Sequence, residues 1–521
     1  MADGVLHDLI RDPLLSVRSG DETAMTSLPE LLEALGRGTN VELEAIQAHH
    51  VLPWHAFAVQ LAALALHGAG SSDPAQNRQT WEELLLELTG GQREPWCLVV
   101  EDLAKPAFLQ PPAPEGKWSA FKSRFETPDE IDILVTAKGH DVKTQRILHP
   151  RPEHWVHALI IKQTTAGFEG RDNYGIARMN GGFASRSHVA FAPSTRWSDR
   201  FRRDVAALLD VRDEVAAAYG YAARDGKALL WLDPWDGKSS LRLSECDPFY
   251  IEICRRLRLC DERGRLVARG IPTKAPRVEA KDLNGAVGDP WMPIDRARSV
   301  ALTVGSAGFG YRLTQALAFG ADFVPGAALE LRSEDGEEPL FLAGTLVRGQ
   351  GKTDGYRERI VPIPKKVRRM FARSDARQQL GELAKRRVER AAEVQGRVLK
   401  PAVLVLLQGG PEELNRKDER AAPWLQAFDD DVDRVFFPSL WAAAEGDAET
   451  AEAAWERQLV DIAQQQLEMA IESAPIPQAR RYRAIAAAER VFWGSARKVC
   501  ANALANSSEE EDPHVARELR N

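Results

Sequence analysis

The part of the chain after Pro364 constrains the fold most, because apolar residues recur there at three- and four-residue spacing over long stretches. This spacing places the apolar residues on one face of an α-helix. The stretches are Lys366 to Gln408, Asp431 to Ala444, Asp447 to Glu472 and Gln478 to Asn506. Glycine and proline residues separate them. Four long helices joined by such breaks predict an antiparallel four-helix bundle, with a kink at Pro401 in the first helix.

The part before Pro364 mixes apolar segments of strand length with helical segments. Helices are predicted at His49–His67, Trp81–Leu88, His154–Lys162 and Phe201–Tyr219. Strands are predicted within Val5–Val17 and at Ala228–Leu232, Phe249–Cys254, Ser299–Val304, Ala328–Leu331 and Leu340–Val347. The two kinds of segment do not alternate regularly. We therefore expect an α+β fold, with a large mixed α/β N-terminal domain over residues 1–364 and a C-terminal four-helix bundle over residues 365–521.

Composition restricts the class of protein. The chain has 521 residues and a formal net charge of −8. This charge argues against a protein that coats nucleic acid along its whole surface, but it is compatible with a local basic patch. An odd number of cysteines, five, is typical of a reducing compartment. The first residues do not form a signal peptide, and no apolar run reads as long enough to span a bilayer, so a cytoplasmic protein without a membrane partner is expected.

The segment from Gln163 to Ser187, called the glycine segment below, carries the strongest functional signal. It combines glycines, aromatic residues and arginines, namely Gly167, Gly170, Gly175, Gly181, Gly182, Phe168, Tyr174, Phe183, Arg171, Arg178 and Arg186. Glycine lets the backbone approach a ligand closely, consecutive N–H groups bind anions, and arginine offers a planar fork to phosphate. The segment therefore suits a large anion such as nucleic acid, although an ordinary irregular loop is also rich in glycine.

Two further segments are locally basic, one from Arg255 to Lys281 and one from Arg348 to Arg373. Contacts of lysine and arginine with phosphates supply most of the non-specific affinity of proteins for nucleic acid. A solvated protein face has the same composition. The sequence leaves both interpretations open.

Other patterns argue against an enzyme or a metalloprotein. Gly351-Lys352-Thr353 could end a P-loop, but the motif requires glycine where Leu346 stands, so a tight turn between two strands is expected instead. No histidine or cysteine set has the spacing of metal ligands, and no nucleophile–base pair is recognisable. Neither a metal nor another cofactor is therefore predicted. The acidic residues from Asp429 to Asp433 are assigned to the N-terminus of a helix that begins near Asp431.

The order of several motifs resembles that of CasA, the large subunit of the type I-E CRISPR surveillance complex Cascade. The similar segments are Leu9 to Val17 (with Leu14 in place of a tryptophan), Pro106 to Gln110, the glycine segment, Leu230-Trp231-Leu232 and the turn Asn284-Gly285. The resemblance covers nearly the whole chain and includes the C-terminal bundle. Some relatives have cysteine pairs that suggest a zinc site near the position of Cys254, but this chain lacks the full set.

The resemblance implies a non-catalytic DNA-binding subunit. Such a subunit recognises a short motif beside the target, the PAM, from the minor groove of the duplex, while guide RNA reads the target sequence by base pairing. It then promotes strand opening and R-loop formation and helps to recruit a helicase-nuclease. The implied partners are double-stranded target DNA, the CRISPR RNA-bound Cascade subunits and that helicase-nuclease. Two alternatives stay open, a nucleotide-binding enzyme that uses the glycine-rich segments and an RNA-binding scaffold subunit.

The resemblance also implies which residues contact DNA. The glycine loop corresponds either to Gly167, Phe168 and Gly170 or to Asn180, Gly181, Gly182 and Phe183. A lysine finger corresponds to Lys274 or Lys281, with Arg277 as a further candidate. A wedge corresponds to Arg348, Gln350 and Lys352 at the tip of a hairpin. A loop near the guide-RNA end corresponds to Thr136 to Lys143 and includes Lys138, His140 and Lys143.

Overall fold

The computed structural model describes residues 5–134, 146–319, 322–371, 373–410, 414–446, 448–476, 478–501 and 504. The chain forms two compact units. The first comprises Met1–Phe309 and Asp322–Pro362, and the second comprises Gly310–Ala321 and Ile363–Asn521. The first unit is mixed α/β and the second is helical, so the predicted fold class is confirmed. The sequence did not indicate that Gly310–Ala321 belongs to the second unit.

The strands of the first unit are short, apart from one long hairpin. They are β1 (Val5–Asp8), β2 (Leu15–Ser19), β3 (Glu22–Thr26), β4 (Glu42–Leu43), β5 (Cys97–Val100), β6 (Ser123–Phe125), β7 (His188–Ala192), β8 (Lys227–Leu229), β9 (Cys246–Ile251), β10 (Arg256–Asp261), β11 (Leu266–Ile271), β12 (Ile294–Asp295), β13 (Val300–Ala301), β14 (Phe323–Val324), β15 (Leu340–Gly349) and β16 (Lys352–Pro362). The largest sheet has the order β1-β5-β10-β11-β6. Residues 328–331 do not form the predicted strand, because Ala327–Leu329 is a 3-10 helix; short apolar runs do not distinguish the two.

Helices of the first unit pack against these sheets. They are α1 (Leu28–Gly36), α2 (Val51–Gly68), α3 (Arg78–Glu87), α4 (Pro128–Ile131), α5 (Pro152–Thr165) and α6 (Trp197–Tyr219). Every residue of α2 from Leu52 to Leu66 is buried, as expected for a helix that is apolar on all sides. The helical run Ala48–Gly68 has the length and hydropathy of a membrane span, but 83% of its most apolar window is buried inside the structure. The expectation that no apolar run has this length is therefore wrong. The run is apolar because the helix lies in the hydrophobic core of the unit.

The hairpin of β15 and β16 is the most regular β element. The strands pair antiparallel from Leu340 opposite Pro362 to Gly349 opposite Lys352, and β7 pairs with the other edge of β15. Most of β15 is buried, so the strand anchors the hairpin in the unit. The turn predicted in place of a P-loop is confirmed, because a strand and not a helix follows Gly351.

The helices of the second unit are α7 (Tyr311–Phe319), α8 (Lys365–Phe371), α9 (Ser374–Glu393), α10 (Lys400–Gln408), α11 (Ala422–Glu445), α12 (Ala448–Ser473) and α13 (Gln478–Val499). A π-helix, Val394–Leu399, joins α9 to α10. This wider turn stands immediately before Pro401, which has no N–H to donate to the preceding turn. The joined α9 and α10, together with α11, α12 and α13, are the four long helices of the predicted bundle, and α8 is a separate helix.

The acidic residues from Asp429 to Asp433 do not lie at a helix N-terminus. The helix α11 begins at Ala422, so the assignment to a helix start near Asp431 is wrong. Asp433 instead accepts a hydrogen bond from the backbone N–H of Tyr311 at 2.5 Å, and Asp429 accepts one from Arg312 at 2.7 Å. These carboxylates therefore stabilise the N-terminus of α7, where negative charge is favourable.

Candidate nucleic-acid interface

The glycine segment is a closed loop between the end of α5 and the start of β7. Its two ends meet, because the backbone N–H of Arg186 donates to the carbonyl of Thr165 at 3.0 Å and that of Phe168 donates to the carbonyl of Gly182 at 2.8 Å. Phe183 packs against Phe168 with ring centroids 5.5 Å apart. These contacts close the segment on itself.

The two candidate glycine loops within this segment differ in exposure. A Cβ atom on Gly167 would lie 2.2 Å from the carbonyl oxygen of Ala184, so Gly167 is required by internal packing. Gly181 and Gly182 are exposed, and a Cβ on either would have no neighbour within 4 Å. Gly182 has φ +111°, which disfavours a side chain there. The open backbone of the segment is therefore at the exposed Gly181 and Gly182, and also at the half-buried Gly170 of the other candidate loop, where an added Cβ likewise meets nothing within 4 Å.

Two of the three arginines in the segment point inward. Arg186 Nε lies 2.7 Å from Asp289, and both side chains are almost fully buried. The Arg178 guanidinium lies over the ring of Tyr250, 4.1 Å from its centroid. The prediction that these arginines present a phosphate fork is corrected for Arg178 and Arg186, which hold the segment to the core; Arg171 is exposed.

The tip of the β15–β16 hairpin presents Gln350 to solvent. Gln350 and Lys352 are exposed, and Gly351 has φ +65°, a value that glycine adopts without strain. Lys352 Nζ lies 3.2 Å from Asp354. The pairing register shifts between Val347 and Arg348. The geometry is that of a narrow projection with a polar end.

The hairpin and the glycine segment contact each other directly. Arg348 Nη2 donates to Glu169 Oε1 at 3.1 Å, and Ser187 Oγ donates to Thr345 Oγ1 at 3.1 Å. A cleft of about 430 Å³ lies between the two elements, with Phe183 and Gly349 in its lining. The structure thus brings together two elements that are distant in sequence, since the hydrogen-bonded residues Ser185 and Leu346 are 161 positions apart.

The three candidates for the lysine finger have different environments. Lys274 is exposed, and its Nζ donates to Asp172 of the glycine segment at 2.7 Å. Lys281 is exposed in the 3-10 helix Lys281–Leu283, which Asn284 follows. Arg277 is only 3% exposed, and its Nη2 donates to the carbonyl of Leu230 at 2.9 Å. The structure places Arg277 in the core, because its guanidinium satisfies buried carbonyls.

The turn Asn284-Gly285 lies against the glycine segment. Asn284 is in the left-handed region with φ +47°. A Cβ on Gly285 would lie 2.7 Å from the backbone nitrogen of Asn180, so only glycine fits. This turn, the candidate Lys274 and the hairpin therefore all contact the glycine segment.

The basic run from Arg255 to Lys281 is partly structural, because four of its nine basic residues are buried. Arg255, Arg256 and Arg258 are each less than 9% exposed. Arg258 Nη2 donates to the carbonyl of Val100 at 2.8 Å, and Arg256 pairs with Glu115. Neither interpretation made from the sequence holds for these three residues, since they form neither a solvated face nor an exposed basic patch. Their side chains are instead held by buried carbonyls and carboxylates of other segments.

The charges at the junction of hairpin and glycine segment shift two pKa values. Burial alone would raise the pKa of the Glu169 carboxyl, but the positive charges of Lys162, Arg255 and Arg348 outweigh it and hold the pKa well below its usual range. Burial lowers the pKa of Lys162, although Glu169 opposes the effect. Sequence reasoning overlooked Lys162 and Glu169. The signal for them was a lysine near the end of an apolar helix and a carboxylate between two glycines.

Among the described residues, His49, His50 and Asp132 are the group with ligand atoms close enough to hold a metal ion. The Nε2 atoms of His49 and His50 lie 2.9 and 2.6 Å from the Asp132 carboxylate, which are hydrogen-bond distances. Asp132 also accepts from the backbone N–H of Leu134 at 2.8 Å. The cluster therefore serves as a hydrogen-bonded anchor. Lys138, His140 and Lys143 lie outside the described residues.

The fold is similar to that of solved CRISPR-associated proteins. CasA from Thermus thermophilus superimposes with a TM-score of 0.63 and 16% sequence identity, covering 95% of this chain and 100% of that chain. Cse1 from Acidimicrobium ferrooxidans gives a TM-score of 0.61 at 16% identity, with 95% and 98% covered. Cse1 from Thermobifida fusca gives 0.61 at 14% identity, with 95% and 98% covered.

The sequence itself matches no protein-family model and no curated protein. At these identities the likeness concerns the fold. The chain has the fold of the CasA and Cse1 proteins over nearly its whole length, as the sequence resemblance implied.

Proposed function

We propose that this protein is the non-catalytic large subunit of a type I-E Cascade complex. In this role it recognises the PAM in duplex DNA, promotes strand opening and helps to recruit the helicase-nuclease. The observation that supports it best is the meeting of three elements at the glycine segment, namely the open Gly181–Gly182 backbone, the exposed Lys274 and the hairpin that carries Gln350. Polar and glycine-rich elements that contact one segment suit the minor groove, whose pattern is degenerate.

The three elements have complementary roles in this proposal. The Gly181–Gly182 backbone approaches the edges of the bases, since no Cβ separates it from them. Lys274 supplies a cation that leaves its ion pair with Asp172 and binds DNA instead. The tip at Gln350 enters between base pairs. Insertion costs a few kcal/mol of unstacking, which contacts to the separated strands offset. The C-terminal bundle is proposed to contact neighbouring Cascade subunits.

The experiment is selection by the purified full chain from duplexes that carry a randomised short motif beside a constant sequence, at physiological salt. Enrichment of a restricted motif set is expected, and single-stranded RNA of the same length is expected to compete weakly. Gly181→Asp should abolish the enrichment, whereas the exposed Gly68→Asp, where an added Cβ also meets nothing within 4 Å, should retain it. Equal recovery of all motifs, or stronger binding of single-stranded RNA than of duplex, would contradict the proposal and favour the RNA-binding scaffold.

A further inference from the structure

Three cationic side chains beside the tip of the β15–β16 hairpin share a single carboxylate. Lys162 Nζ, Arg255 Nη2 and Arg348 Nη2 lie 2.7, 3.0 and 3.1 Å from the Glu169 oxygens. Their side chains are 12%, 7% and 7% exposed. Removing cations from water is unfavourable unless opposite charges compensate them. This group, called the Glu169 cluster below, is therefore short of negative charge.

The other acidic residues that line the same cleft do not supply the missing charge. Glu130 accepts a hydrogen bond from the backbone N–H of Thr127 at 3.0 Å and so caps α4. The Asp132 carboxylate is held by His49 and His50. Each of these carboxylates thus has its own partners outside the Glu169 cluster.

The cations also retain unused hydrogen-bond donors. Within the part of the chain that the structure describes, Arg348 Nε and Nη1 and Arg255 Nε are buried without an acceptor. Buried polar groups of this kind are uncommon and call for a partner. Lys162, Arg255 and Arg348 all line the cleft of about 430 Å³, so an anion in the cleft would lie beside these three cationic side chains.

We propose that the Glu169 cluster is a binding site for one backbone phosphate of nucleic acid. A tetrahedral oxyanion matches the planar guanidinium forks of Arg255 and Arg348 and the point charge of Lys162. Phe183 of the glycine segment and Gly349 of the hairpin border the cleft, so the phosphate is held beside the hairpin tip. The nucleic-acid source of the phosphate rests on the proposed function, whereas the anion site does not.

Opposite effects of two kinds of substitution test the site. Lys162→Met and Arg348→Met each remove a cation and should lower the affinity for inorganic phosphate at least about tenfold, as for loss of a charge-assisted hydrogen bond. Glu169→Gln removes the competing carboxylate and should raise this affinity. It should also lower the thermal midpoint at low salt, and phosphate should restore the midpoint more than chloride of equal ionic strength. Lys105→Met is the control, because it breaks an ion pair with Glu94 outside the cleft. It should change neither the affinity for phosphate nor the effect of phosphate on the thermal midpoint.

The source of the phosphate is tested with duplexes in which single phosphates are replaced by uncharged methylphosphonates. Replacement of the phosphate that the site binds should weaken duplex binding by the wild-type protein. The same replacement should not weaken duplex binding by Arg348→Met any further. Duplex binding that all three substitutions leave unchanged would overturn the phosphate site and leave the proposed function intact. Phosphate binding without any duplex binding by the wild-type chain would overturn both the proposed function and the nucleic-acid source. If Lys162→Met does not fold, Arg348→Met and Glu169→Gln decide the outcome.

Discussion

Arg348 donates a hydrogen bond to Glu169 at 3.1 Å and so joins the β15–β16 hairpin to the glycine segment. The hairpin tip and the open Gly181–Gly182 backbone are thereby fixed relative to each other. Preorganisation of this kind reduces the entropy that is lost when a ligand orders both elements.

Gly167 and Gly181 should respond differently to the same substitution. Gly167→Ala introduces a Cβ 2.2 Å from the Ala184 carbonyl oxygen, and we expect a loss of about 1–3 kcal/mol in the free energy of unfolding, as for overpacking. Gly181→Ala should leave this free energy nearly unchanged. Urea unfolding of both variants measures the difference, and equal stabilities would show that Gly167 is not packed as described.

The hairpin tip should affect strand opening more than binding. Gln350→Ala combined with Lys352→Ala removes the polar end of the projection, and both side chains are exposed, so the fold should remain stable. Permanganate reactivity of thymines beside the PAM, measured in the assembled complex, should decrease, while the yield of complex stays the same. Wild-type R-loop formation on linear duplex at physiological salt would exclude the tip as a wedge.

Substitution of Lys274 should affect DNA binding, whereas substitution of Arg277 should affect the stability of the fold. Lys274→Ala removes an exposed cation and should lower duplex affinity and reduce its dependence on salt, since fewer counterions are released. Arg277→Ala leaves buried carbonyls without donors, including that of Leu230, and should cost roughly 2–4 kcal/mol of stability. Salt titrations and urea unfolding are the two measurements. If Arg277→Ala were as stable as the wild-type protein but bound DNA less tightly, Arg277 would be a DNA-contacting residue rather than a structural one.

Stability should depend on pH through Glu252. Burial raises the pKa of this carboxyl from its ordinary 4.5 to about 7, so the folded chain holds the proton more tightly than the unfolded chain does. The stabilisation is complete below pH 4.5 and is lost as the pH rises through about 7. Glu252→Gln stays neutral, so the wild-type protein should lose stability relative to this variant over that range. Parallel pH profiles of the two proteins would contradict the prediction.

A fragment of residues 1–364 should fold without the second unit but lose its stable association with the complex. The segment Gly310–Ala321 belongs to the second unit, and Tyr311 loses the hydrogen bond to Asp433 when α11 is removed. Hydrogen exchange should therefore be fast in this segment and slow in β15. Fast exchange throughout the fragment would show that the first unit is not an independent domain.

Sequence reasoning predicted the elements whose signal is local. The helical spacing after Pro364 predicted the bundle, and the failed P-loop at Gly351 predicted the hairpin turn. It misplaced the start of α11 and the role of Asp433, because the partner of that carboxylate lies on a helix more than 100 residues away in sequence, as shown by the Tyr311–Asp433 hydrogen bond. It also treated Arg255 and Arg258 as surface residues, since composition does not indicate which strands pair.

The sequence by itself determined the fold class, the two kinds of architecture and the chemical character of the glycine segment. Periodicity and glycine content involve only residues that are close together in the sequence, so they can be recognised from the sequence alone. Only the tertiary structure decided that Gly181 is open while Gly167 is packed, and that Lys162, Arg255 and Arg348 converge on Glu169. Burial and ion pairing depend on contacts between segments distant in sequence, and these exist only once the chain has folded.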